Sequence, residues 1–176
     1  MSKDQQDKFT YTGMAIRKDL LGAIYLNQNQ YLEEMENVSA MVEDTASKEK
    51  LRTILRGAVG KLLYLNLTKP DVAFKKNSLS RVPPGTDLEL KVKEAHDLIQ
   101  EVEQTQVEIK FSKLGRLEDL HLDVDADASF GGLDKGLKST EGSLILLRGH
   151  SSQCSPIAWR SRGITRVCKS AKVQRR

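Results

Sequence analysis

Three aspartates alternate with apolar residues in Leu120–Phe130, LHLDVDADASF. On a strand, Asp123, Asp125 and Asp127 share one face, and Leu122, Val124 and Ala126 share the other. Carboxylates spaced this way repel, and a bound cation relieves the repulsion. Three readings of the pattern stand side by side. One is plain acidic decoration of a solvent-facing edge strand. Another is a calcium loop, with Asp123, Asp125, Asp127 and Asp134 on loop positions 1, 3, 5 and 12. Against it, Ala128 holds the sharp-turn position that wants glycine, and the flanks read as strands instead of helices. The last is a strand end that gives one carboxylate to a two-metal, phosphodiester-cleaving centre. Such a centre needs further carboxylates from other elements, converging on cations ~3.5–4 Å apart.

The basic residues gather late. From Arg160 onward stand Arg160, Arg162, Arg166, Lys169, Lys172, Arg175 and Arg176, with no acid among them. The whole chain carries +4, so everything before Arg160 is net −3. A basic end attracts polyanions through counterion release, and it can equally be a solvated tail with no partner. Trp159, beside Arg160 and Arg162, could stack on nucleotides. Its spacing from Ile157 favours a place in the core. Lys69 and the pair Lys75 and Lys76 could touch phosphates or line a solvated helix face. His96 lies beside an apolar stripe on a charged helix and is expected at the surface.

The elements that must position these groups fall into two kinds. Phe9–Ile16 and Ala23–Leu26 read as two strands of a hairpin, with the RKD stretch and Gly22 near its turn. Asn27–Asn29 offer a cap to a helix bearing Tyr31, Leu32, Met35, Val38 and Met41. Leu51, Ile54, Leu55, Ala58, Val59, Leu62 and Leu63 form one apolar stripe of a longer helix that stops before Pro70. Pro70 and Asp71 open another helix through Phe74 and Leu79. Thr86–Glu89 reads as a capping box, followed by the stripe Leu88, Val92, Ala95, Ile99 and Val102. After about residue 105 the period becomes alternating: Val107–Phe111, Leu120–Ala126, Leu144–Leu147 and Ile157–Trp159, with glycines between, read as an antiparallel meander.

The expected fold class is therefore α+β, a helical module over residues 1–105 followed by a strand module over 106–176. The 176 residues, 39% hydrophobic and 30% charged, suit a globular chain with a modest core. Cys154 and Cys168 make neither a disulfide framework nor a paired metal motif. The hydrophilic start lacks the apolar core of a signal peptide, and no run approaches the ~20 apolar residues of a membrane span. The expected location is intracellular, cytoplasmic or nuclear and not secreted, with no membrane and no small-molecule substrate among its partners.

Three ordered blocks carry a family resemblance. DADASFGGLDKGLKSTEGSLILL, then SPIAWRSRGITRVCKS, resemble the start of ribonuclease H in copia-type LTR retrotransposon polyproteins. That family shows an SDAS-like motif, a KS-x-x-G turn, an apolar strand, an SPISW-like strand and an R-V-x-[KR]-S-T lead into a helix. GAVGKLLYLNLTKPDVAFKKNSLSRV resembles the segment that follows the polymerase palm, and FTYTGMAIRKDLLGAIYLNQNQYLEEM resembles the primer-grip hairpin and the approach to the thumb. The resemblance implies a thumb- and connection-like helical module and a partial ribonuclease H-like meander. Asp127 then takes the first catalytic carboxylate position, with Asp125 a weak metal ligand beside it. Lys69, Lys75, Lys76, Arg160, Arg162, Arg166 and Lys169 become nucleic-acid contacts, an RNA–DNA hybrid the implied partner, and Mg2+ the metal of the parent family, with no cofactor expected for this chain.

Departures from the pattern bear on activity. The YVDD-like polymerase carboxylates are absent, Arg175 stands near the position of the second ribonuclease H carboxylate, and Asp125 and Ser143 stand where tyrosine is common in the family. The expectation is a retrotransposon-derived fragment that is no enzyme on its own and retains some nucleic-acid binding. The rival is a relic or domesticated protein-interaction module. A further expectation is that Leu144, Leu146, and Ile157 or Trp159 lack a full covering layer.

Overall fold

The computed structural model describes residues 8–34, 47–105, 107–129, 139–150 and 153–164. Strands β1 (Lys8–Tyr11), β2 (Met14–Lys18) and β3 (Ile24–Asn27) form an antiparallel sheet. The run from Phe9 to Ile16, expected as one strand, is broken at Thr12 and Gly13. Both have positive φ, 48° and 77°, the two-residue turn whose twist suits a hairpin. Tyr64 closes over this turn by donating its hydroxyl hydrogen to the Thr12 carbonyl. The next turn is set by Asp19, whose carboxylate accepts from the Leu21 and Ala23 amides at 2.9 Å and from the Tyr25 hydroxyl at 3.1 Å. Desolvation pushes the Asp19 pKa up, but these hydrogen bonds outweigh it and hold the carboxyl below its ordinary range.

A short helix α1 (Asn29–Glu33) follows, with Gln28 at its cap position and no side-chain capping bond. Gln28 is fully buried, and its side-chain oxygen accepts from Thr68 Oγ1 at 2.7 Å. The expected continuation through Met35, Val38 and Met41 lies outside the described residues. Helix α2 (Lys48–Leu65) starts at Ser47, whose hydroxyl accepts from the Lys50 amide at 3.3 Å. Its buried face is Leu51, Leu55, Ala58, Leu62 and Leu65. Leu63, placed by its spacing on that stripe, is 58% exposed, and Leu65 takes the inner position.

Helix α3 (Val72–Leu79) buries Val72, Ala73 and Leu79 but leaves Phe74 exposed. Helix α4 (Leu88–Gln104) buries the whole expected stripe and Leu98 as well. Its cap is Asp87, which accepts from the Leu90 amide at 3.1 Å. Thr86, the cap in the expected box, instead donates to the Pro83 carbonyl at 2.7 Å. The three long helices form one apolar core with Leu32. Each large aliphatic side chain fully buried there contributes ~1.5–3 kcal/mol. His96, expected at the surface, is half-buried, with its Nδ1 enclosed.

Strand β4 (Ile109–Phe111) is the main departure from the expected topology. Expected as the first strand of the late meander, it pairs antiparallel with β3 and completes the first sheet in the order β1-β2-β3-β4. Glu108 fastens it, accepting from Arg17 at 2.9 Å and from Asn27 Nδ2 at 2.7 Å. The apolar alternation of Ile109 and Phe111 predicts a strand but not its neighbour.

The second sheet is an antiparallel meander in the order β5-β6-β7: β5 (His121–Ser129), β6 (Thr140–Arg148) and β7 (Cys154–Gly163). A bulge opposite Ile145 and Leu146 sets Ile157 out of register. One sheet face meets the helices: Trp159 donates its indole N–H to the Asn66 carbonyl at 2.7 Å, and Asn77 Nδ2 reaches Ser161 Oγ at 3.4 Å. Trp159 thus packs inward. Register puts Leu144 and Leu146 on that same, partly covered face. Ile157, 46% exposed, is poorly covered as expected, and so are Leu122 and Val124, 61% and 57% exposed, on the face opposite Leu144 and Leu146. The two sheets touch where Ser155, buried, accepts from the Ser112 amide at 2.9 Å. Among the described residues no helix is long and apolar enough to cross a membrane.

Candidate metal and nucleic-acid site

Residue pairing across the meander fixes what surrounds the aspartates. Asp125 lies opposite Leu144, which lies opposite Trp159; Asp127 lies opposite Gly142, which lies opposite Ser161. Side chains directly across a ladder share a face. Asp125 and Asp127 therefore stand on the face that meets α3. Between that face and α3 runs an open groove of ≈ 730 Å³, lined by Asp71, Phe74, Asp125, Asp127, Leu144 and Trp159 among others. Asp71 and Phe74 were not singled out as site residues. The KPD sequence marks a helix start, but nothing local shows that this start faces a strand 50 residues later.

The carboxylates themselves are not gathered into a metal centre. Asp127 is exposed, and its Oδ1 accepts from the Ala128 amide at 2.8 Å. Asp125 is exposed one strand repeat away, ~6.5–7 Å along the backbone at the usual rise. Asp123 is bound to Arg148 at 2.6 Å, and the hydrogen bond and charge of Asp123 push the Arg148 pKa up further. Among the described residues no group of three or more His, Cys, Asp or Glu side chains is placed to hold a metal ion. Asp125 and Asp127 could share one weakly held cation. The donor set described does not fit a pair of bridged divalent ions. The calcium-loop reading fails on backbone grounds: His121 to Ser129 is regular strand, paired residue by residue with β6, where that motif needs a loop. Asp134, its last ligand, lies outside the described residues.

The expected cationic contacts are dispersed. Lys69 is not a surface residue: it is 1% exposed, and its ammonium donates to the Thr105 carbonyl at 2.6 Å. It closes the end of α4, where a cation also meets the negative pole of the helix. Desolvation lowers its pKa, against a smaller opposing pull from Asp71. Lys75 is exposed but ion-paired with Glu101. Arg162 is paired with Glu141, its register neighbour. Lys76, half-buried, and Arg160, exposed, make no ion pair among the described residues. Arg160 borders the groove, but its register partner Ser143 places its side chain on the far face from Asp127. Arg166 and Lys169 lie outside the described residues.

The structure thus brings Asp125, Asp127 and Trp159 together along one groove and leaves the cations around other surfaces. No protein-family model, no curated protein and no solved structure matches this chain.

Proposed function

We propose that the chain is a fragment derived from a copia-type reverse transcriptase and ribonuclease H polyprotein, catalytically silent by itself, with a residual affinity for nucleic acid. The observation that supports this reading most is the β5-β6-β7 meander with Asp127 on its first strand and Trp159 on its third, in the order the sequence resemblance implies. The silence proposed rests on the departures in sequence: hydrolysis through paired metal ions needs converging carboxylates, and Arg175 stands near the position of the second one. The residual affinity rests on Arg160, Lys76 and the basic residues beyond. The location in keeping with this reading is cytoplasmic or nuclear.

The test is a titration of the purified chain against a labelled RNA–DNA hybrid and a DNA duplex, at two salt concentrations and with Mg2+ present. The expected result is hybrid binding with a shallow salt slope and an uncut RNA strand. Cleavage that disappears in Asp127→Asn would overturn the silent assignment. Absence of binding would overturn the nucleic-acid part. A second reading, a protein-interaction module without nucleic-acid role, is favoured by one observation: Lys75 and Arg162 are already satisfied by acids, and Lys69 is buried.

A further inference from the structure

A second cleft shares no lining residue with the groove at Asp127. It has a volume of ≈ 450 Å³ and lies between α2 and the end of α3, lined by Arg52, Leu55, Arg56, Val59, Leu79, Ser80 and Val82. Pockets of a few hundred Å³, mostly apolar with a few convergent polar groups, are the common form of small-molecule site. Here the convergent groups are two guanidinium groups, and the apolar wall is Leu55, Val59, Leu79 and Val82. Leu55 and Leu79 are anchored in the helical core at 3% exposure each, whereas Val82 remains 40% exposed. A hydrophobic wall thus runs from core to solvent beneath the arginines.

Arg52 and Arg56 stand one helical turn apart, both exposed. Neither has an acid partner or a side-chain hydrogen bond among the described residues. Like charges at this spacing destabilise a helix. Helix α2 also carries Lys48 and Lys61, with Glu49 in its first turn. The arginine stems gain by covering the apolar wall, but among the described residues no acid is paired with either guanidinium group above it. An anion bridging them removes the repulsion, and the planar fork of each guanidinium suits a carboxylate or phosphate head in two parallel hydrogen bonds. The wall below requires that the anion carry an apolar body.

We propose that this cleft binds a small anionic amphiphile, its phosphate or carboxylate head held by Arg52 and Arg56 and its alkyl body lying on Val59, Leu79 and Val82. Head and body act together: the cations alone would attract any anion weakly, and the wall alone would attract any apolar molecule weakly.

Calorimetric titration of the full chain with four probes separates these contributions. Octyl phosphate and octanoate carry both parts, inorganic phosphate only a head, and octanol only a body. The expected result is one equivalent of octyl phosphate bound, at least about tenfold tighter than inorganic phosphate or octanol. Octanoate reports whether a carboxylate head serves as well as a phosphate. The Arg52→Gln/Arg56→Gln variant should lose about tenfold or more of the octyl phosphate affinity. Its unliganded melting temperature should be unchanged or higher, because both side chains are exposed and mutually repelling. Val82→Asn, which leaves the arginines in place, should weaken octyl phosphate and leave the weak phosphate response unaltered. The proposal is overturned if octyl phosphate fails to bind, if inorganic phosphate binds as tightly, or if the double variant binds octyl phosphate like the parent chain.

Discussion

Lys69 offers the sharpest test of how this chain uses its cations. Its side chain is 1% exposed and its ammonium is bound to the Thr105 carbonyl at 2.6 Å. Lys69→Ala removes three buried methylenes, worth about 2–2.5 kcal/mol together. It also removes a charged hydrogen bond worth about 1.5–3 kcal/mol. Part of that is returned, because the buried ammonium no longer has to be desolvated. The expected net loss is about 2–4 kcal/mol. Lys69→Met keeps an apolar stem of similar length and loses only the ammonium, so it should cost less than about 1.5 kcal/mol. Urea unfolding followed by circular dichroism measures both. The pH dependence has a fixed sign. Burial places the folded-state pKa below the ordinary 10.5 of the unfolded chain. Between those two values the unfolded chain binds more protons, so raising the pH through that window stabilises the parent relative to Lys69→Met. Below the window the difference between the two is flat. A loss within about 0.5 kcal/mol for Lys69→Ala, as for a surface residue, would refute the burial argument. So would a Lys69→Met variant whose salt slope for hybrid binding falls by about one, which is the mark of a lost phosphate contact.

The other predictions concern single local devices. Asp87→Ala should cost about 1 kcal/mol in the same unfolding assay and Thr86→Ala clearly less, because the former caps α4. Gly13→Ala should cost about 1 kcal/mol or more: φ is +77° there, and a Cβ would sit 3.2 Å from the Tyr64 hydroxyl. Asp19, with its folded-state pKa lowered, contributes stability that is present above its ordinary 3.8 and fades as pH falls through the folded value. Asp19→Asn should therefore be less stable than the parent at neutral pH and equal to it in strong acid, as read by melting temperature across that range.

Helix positions were the most legible part of the sequence, because their apolar stripes repeat over several turns. Every residue named on the α4 stripe is buried. The failures occur where two neighbours compete. Leu63 fits the α2 period as well as Leu65 does, and only the packing of α3 and α4 decides between them. Thr86 and Asp87 are both good caps, and the backbone chose the second. Strand identity was legible from alternation, but strand partners were not: nothing within Ile109–Phe111 names β3. The acidic face of β5 was legible, and so was the inward place of Trp159. Arginine and lysine gave the weakest reading. A cation next to Pro70 looks the same in sequence whether it meets phosphate or, as Lys69 does, the end of a helix.

The pairing of β4 with β3 has a consequence for how the chain acquires its shape. Asn27 ends β3 and Ile109 begins β4, 82 residues later. At ~5–20 residues per second, a ribosome delivers β4 roughly 4–16 s after β3. During that delay the β1–β3 ribbon carries an unpaired edge, while the local contacts of α2, α3 and α4 can form as each helix emerges. The first sheet is then the last part of its own half to be completed, and Glu108 acts as the latch, reaching Arg17 and Asn27 only when the intervening helices have already folded. Nascent chains stalled before Ile109 should bind strand-seeking chaperones that released chains do not.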